Sequence, residues 1–305
     1  MNDLVRLEDL RYLAVLCAGS ALATATPTQL DETVAANLFR LYGRIRRSQL
    51  STVAHEIETT LPERRGQGAR LAELRAQMRL EDFWGRLRGI GPRRWRPEIE
   101  LEGFERVQRA RARGRGVVLW CTRTASATAI KQAFHRAGAP LAHLSRANHG
   151  VSWTTKFAVG IVGPLYCRAE NCYLAERVTI PVGGSLAYFK QLRAQLRGNA
   201  CLSIFGEHLG RQNAEVPFLG ATRSFATGAP SLAWSEGASL LMVHCFRTAP
   251  LRYRVVIDEP LDVDRSIGRK QFAERAVGEF ARRLEAVIRE RPEDWQGWTY
   301  PAAPS

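Results

Sequence analysis

Arg123 and Thr128 mark the place where this chain is laid out for chemistry. Val117, Val118, Leu119 and Trp120 form a short apolar run of buried-strand type, and Ser126–Arg136 reads as a helix stopped by Gly138. The carboxyl end of a strand facing a helix N-terminus is where α/β folds commonly place a reacting group. Arg123 could hold a phosphate or carboxylate there, or could salt-bridge Glu207 and close the pocket. It cannot act as a base, because a guanidinium stays protonated in proteins. Cys121 could serve as a thioester-forming nucleophile. With no base evident beside it, a strand cysteine reads better as a small buried hydrophobe.

Two histidines also fall at strand ends on this side. His208 follows the apparent strand Ala200–Phe205 and neighbours Glu207; His149 follows the strand Leu141–Ser145 and neighbours Asn148. An imidazole so placed could take a proton from a hydroxyl, with Glu207 assisting His208. The competing reading of each is an ordinary loop histidine. Other chemistry is missing: there is no phosphate loop, no G-x-S-x-G elbow and no His-Glu-x-x-His helix. The six cysteines are scattered, without zinc spacing, so neither a metal nor a cofactor is expected.

The elements that must position these residues fall into two parts. Residues 1–115 read as a helical N-terminal region, and 116–305 as an α/β core with a mostly parallel sheet. In the first part, Leu13–Ala25 is an apolar helix lying on a membrane or packed on the domain, too short to span. Leu30–Leu50 and Arg64–Arg79 are amphipathic. Trp84–Arg96 is basic and Trp-containing, which suits either a phospholipid headgroup layer or a solvated loop with its tryptophans turned inward. In the second part, helices are expected at Val151–Val162, Ser185–Leu196, Gly228–Glu236 and Lys270–Arg289. Gly183-Gly184 reads as a turn, and Leu240–Phe246 and Tyr253–Ile257 as adjacent, antiparallel strands.

Three blocks in a fixed order carry a resemblance. They are Glu102–Glu105 with Arg113–Gly116, then Val216–Gly220 with Ala226–Pro230 and Leu232–Ala238, then Ile288–Trp295. The chain resembles the bacterial lipid A biosynthesis acyltransferases, relatives of the lysophospholipid acyltransferases. That resemblance implies transfer of a fatty acyl chain from a thioester to a lipid or sugar hydroxyl. It also implies a His-x-x-x-x-Asp/Glu pair, in which the carboxylate orients the histidine that deprotonates the alcohol. Here Arg123 stands at the histidine position and Thr128 at the carboxylate position, with Ala125, Ser126 and Ala127 between. Five residues after His55, His135, His143, His149, His208 and His244 come Thr60, Pro140, Asn148, Thr154, Asn213 and Ala249, none acidic. The motif is absent from the chain. By the resemblance, Ser126, Asn148, His149, Thr227 and Gly228 are candidate substrate-binding residues, and Arg123, Thr128, Glu207 and His208 candidate reacting ones.

The formal charge of +14 favours anionic partners. An acyl carrier protein or other acyl thioester and an anionic membrane lipid are expected, nucleic acid is not, and the place is the cytoplasmic face of the bacterial inner membrane. Two functions stay open: an acyltransferase with altered apparatus, or a catalytically silent homologue that binds acyl carrier or lipid or regulates a paralogue.

Overall fold

The computed structural model describes residues 4–91, 95–149, 155–181 and 187–298. Four helices come first: α1 (Leu7–Ala25), α2 (Asp31–Ile45), α3 (Arg47–Thr60) and α4 (Gly68–Ile90). The helix expected over Leu30–Leu50 is thus two, broken at Arg46. The stretch expected at Arg64–Arg79 is the front of a longer one. In Trp84–Arg96, of which residues 92–94 lie outside the described residues, the tryptophans are turned inward, as the second reading held, with Trp84 on a helix and not in a loop. The first residues of that segment finish α4, and Trp84 and Trp95 are core side chains, 1% and 2% exposed. Trp84 donates to Asp31 Oδ1 at 2.7 Å, and Arg88 pairs with the same carboxylate. Apolar burial and ion pairing within the fold take up the groups that composition alone made look interfacial.

Strand β1 (Glu98–Glu102) and α5 (Phe104–Arg111) lead into β2 (Val117–Cys121), α6 (Ala127–Arg136) and β3 (Leu141–Arg146). Then follow a wide helical turn at Ala158–Val162, α7 (Gly163–Asn171), β4 (Leu174–Ile180), α8 (Ala187–Arg197) and β5 (Cys201–Phe205). Residues 151–154 of the helix expected at Val151–Val162, the start of that expected at Ser185–Leu196, and Gly183-Gly184 lie outside the described residues. A hairpin, β6 (Asn213–Phe218) and β7 (Ala221–Ala226), precedes α9 (Gly228–Glu236), β8 (Ser239–Ala249), β9 (Arg252–Ile257) and α10 (Arg269–Glu290). Leu219 and Gly220 form the hairpin turn, both with positive φ (52° and 77°). That is the twist a two-residue turn needs to match its strands.

The main sheet has seven strands in the order β1-β9-β8-β2-β5-β3-β4. All pairings are parallel except β8 with β9. The fold is therefore α/β with a mostly parallel sheet and a helical N-terminal region. Side chains alternate across β2. Val118 and Trp120 join the core beneath α10, whereas Val117, Leu119 and Cys121 join the one beneath α6. Trp120 stacks on Phe280 of α10, ring centres 4.3 Å apart. Because β2, β5 and β3 are parallel neighbours, their carboxyl ends bring the segments after residues 121, 146 and 205 to one edge.

Candidate functional site

At the end of β2 the chain turns into α6 through Thr122–Ser126. Ser126 caps the helix: its Oγ accepts from the Ala129 N–H at 3.1 Å and donates to Asp82 Oδ1. Both capacities of that hydroxyl are engaged. Thr128, expected from the resemblance to stand at the carboxylate position, is 2% exposed, and its Oγ1 has no hydrogen-bond partner among the described residues. Ala125 is fully buried with φ 22°.

The segment is covered by the polypeptide that follows α10. Ala125 N–H donates to Asp294 O at 2.8 Å, Gln296 N–H donates to Arg123 O at 2.8 Å, and Gln296 Nε2 donates to Ala125 O. Thr124 bridges Trp295 in antiparallel fashion. Glu207 completes the clasp, accepting from the Arg123 backbone N–H and from Trp295 Nε1. Arg123 and Glu207 are thus neighbours, joined through the Arg123 main chain where the sequence suggested a side-chain salt bridge. The main chain of the turn after β2 is held from Arg123 to Ala125.

Three further candidates gather at the same edge. His208 is exposed, and its imidazole is held below the usual histidine range, first by loss of solvent around part of the ring. The charges of Arg123, Arg146 and His149 act in the same direction. Those cations fix the direction of the shift, while the exposure of the ring argues against a deep one. Arg146, the last residue of β3, ties this edge to the next loop by donating to Leu209 O at 2.7 Å.

His149 belongs to a second, deeper cluster. Glu170 of α7 is fully buried and is surrounded by Arg86, Lys131, Arg177 and His149. Arg177 lies 2.8 Å and His149 Nε2 3.2 Å from Glu170 Oε2, the imidazole sitting off the line of a hydrogen bond. Burial would raise the Glu170 carboxyl, but Lys131 and Arg86 outweigh it and hold it well below its ordinary value. Desolvation lowers His149, with Glu170 opposing, so the ring is neutral at pH 7. His143 lines the floor, its Nδ1 2.9 Å from Ser203 Oγ. No local sequence signal links His149 to Glu170, which lies on another element.

The remaining candidates do other work. Thr227 precedes α9 and its Oγ1 donates to Gln212 O at 3.1 Å, and Gly228 begins the helix. Asn148 is half-buried in the turn after β3. Burial pushes the Cys121 thiol up to about 12, with Lys131 only partly opposing, so it is an inert core group and not a nucleophile.

The sequence also hides a second histidine–carboxylate pair. His244 Nε2 is 3.2 Å from Asp258 Oδ2, and His244 Nδ1 is 3.1 Å from Thr122 Oγ1. Both ring nitrogens are engaged and the residue is 1% exposed, so it braces β8 and leaves no nitrogen for a substrate. Among the described residues, the two most prominent cavities, about 490 and 250 Å³, lie at the opposite, amino end of the sheet. Arg115, Arg197 and Arg265 line the larger, beside the closing ends of α8 and α9, where cations favourably meet helix carbonyls. They are remote from the carboxyl edge and carry no part of its chemistry.

A search of curated proteins gives no match. Residues 176–298, from β4 through the segment after α10, match the model of a family described as bacterial lipid A biosynthesis acyltransferase. The matched stretch contains Glu207, His208, Thr227 and Gly228, while Arg123, Thr128 and His149 precede it. Over residues 176–298, about two fifths of the chain, the sequence is thus similar to the bacterial lipid A biosynthesis acyltransferase family, in line with the resemblance read from the sequence.

Proposed function

We propose that the protein transfers a fatty acyl group from an acyl thioester, carried by an acyl carrier protein or coenzyme, to a hydroxyl of an anionic membrane lipid. The observation that carries this reading is the grouping of His149, His208, Arg123 and Arg146 at the carboxyl edge of β2, β5 and β3. Neutral imidazoles can accept a proton, and guanidiniums suit the phosphates or carboxylates of such substrates. The net charge of +14 favours both an acidic carrier and an anionic bilayer. On this reading the protein works peripherally, at the cytoplasmic face of the inner membrane.

A second reading is favoured by the clasp of Asp294, Trp295 and Gln296 over the Arg123–Ser126 turn. A protein closed there would bind acyl carrier or lipid without turnover, or regulate an active paralogue. Purified protein incubated with a labelled acyl thioester and a lipid extract separates the two. Label appearing in lipid, with turnover proportional to protein, supports transfer. Saturable retention of thioester with no labelled lipid supports the silent reading.

A further inference from the structure

We propose that His149 is the general base of this protein and that Glu170 is the residue that positions it. The inference rests on the acyl-transfer reading above and names the group that would replace the missing pair. Any such base needs an imidazole with one nitrogen toward a carboxylate, the other free for the substrate, and a place at the reacting edge of the sheet. Of the described histidines with a carboxylate neighbour, His244 spends both nitrogens inside the fold. His149 does not. Its Nε2 lies 3.2 Å from Glu170 Oε2, Nδ1 takes no part in that pair and has no hydrogen bond among the described residues, and the side chain is 28% exposed.

The surroundings fix the ring. Tyr166 and His143 pack edge-on against it at 5.7 and 6.4 Å between ring centres, and its backbone N–H donates to Arg146 O at 3.0 Å. Glu170 cannot drift, because Arg86, Lys131 and Arg177 hold its carboxylate from three elements, α4, α6 and β4. The groups facing His149 are therefore Glu170, Lys131, Arg177, Tyr166 and His143. Burial first, with Lys131 and Arg177 adding to it, lowers the ring toward its neutral form before substrate binds, and Glu170 steadies the imidazolium that forms afterwards.

In the step itself, His149 Nδ1 takes the proton of the acceptor hydroxyl as its oxygen attacks the thioester carbonyl. Collapse forms the ester C–O bond and breaks the C–S bond. The imidazolium then returns its proton to the departing thiolate, which leaves as a thiol. Nothing is oxidised or reduced, and no further reactant is needed.

The test compares wild type with His149→Gln and His149→Ala in the labelled acyl-transfer assay, with added imidazole and a pH series. Glu170→Asp is included because it keeps the charge, whereas Glu170→Gln risks unfolding. His149→Gln is expected to lower kcat by at least about 100-fold with little change in KM. Free imidazole is expected to restore turnover to His149→Ala, and Glu170→Asp to retain more activity than His149→Gln while moving the pH profile. Wild-type turnover with an undiminished His149→Gln rate overturns the assignment and leaves the acyl-transfer reading standing. Wild-type protein that binds thioester but transfers nothing overturns that reading and this inference together.

Discussion

At the residue scale, the decisive feature is a carboxylate in an excess of cations. Glu170 with Arg86, Lys131 and Arg177 forms a buried network in which the ion pairs compensate one another. Such pairs contribute little net stability over an apolar replacement, but removing one partner strands the rest. Glu170→Gln is therefore expected to cost about 3–5 kcal/mol in urea unfolding. The sign with pH follows from the direction of the shift. The folded carboxyl lies well below its ordinary value, so its contribution is complete above the normal carboxylate range and fades as pH falls through the folded pKa. Wild type should lose more stability than Glu170→Gln on acidification, and parallel pH curves would remove Glu170 from the account. His244→Ala should behave differently from any His149 variant. It leaves Asp258 and Thr122 short of a partner inside the fold, so a loss of about 1–3 kcal/mol in unfolding is expected, with the kcat of the folded fraction retained.

At the element scale, the segment after α10 works as an added strand-like strap across the β2–α6 turn. Trp295, 2% exposed, packs with Phe218 and Trp298 and bonds Glu207. Trp295→Ala is expected to destabilise by about 3–5 kcal/mol. The informative readout is hydrogen exchange at the Ala125 and Gln296 amides, which should accelerate more than the β2 amides do. Equal acceleration everywhere would mean that the strap does not open separately from the sheet. Gly206, at the end of β5, is a second structural demand here. A Cβ at this position would run into Trp120 Nε1 and the Phe280 ring, both buried and stacked. Gly206→Ala is expected to cost about 1–3 kcal/mol by overpacking, read as a fall in Tm.

At the scale of the whole molecule, the N-terminal helices present an apolar surface away from the sheet. Leu16 and Ala23 of α1 are buried, yet Leu7, Leu10, Val15 and Leu22 of the same helix are 49–58% exposed. No single helix among the described residues is long and apolar enough to cross a membrane. The α1–α2 pair meets that test only together, and it is bent by 114°. Under the peripheral placement proposed above, those leucines would enter the headgroup region and the surplus of arginine would favour anionic lipid. Replacing Leu10, Val15 and Leu22 together by Ser is expected to weaken binding to vesicles of anionic phospholipid by at least about 100-fold, since each buried methylene lost is worth about 0.8 kcal/mol. Unchanged co-sedimentation would place the lipid contact elsewhere.

Periodicity and composition made the alternating core from Gly116 onward legible, along with the β2 strand, the α6 helix and the long apolar stripe of α10. Those features depend on neighbours a few residues apart. The absence of any His-x-x-x-x-Asp/Glu pair was equally legible, since it is a matter of spacing. What escaped were β1, β4 and the β6–β7 hairpin: edge and solvent-facing strands such as Glu98–Glu102, whose burial alternates weakly. Only the tertiary structure decided that Trp84 and Trp95 are core and that Trp295 lies over the Arg123 turn. It alone set His149 against Glu170, 21 residues on in the sequence and on a different element. Sequence fixes what each short segment can become. Which ionisable groups share one desolvated space depends on how the layers pack, and that packing sets a histidine after one strand against a carboxylate from another element.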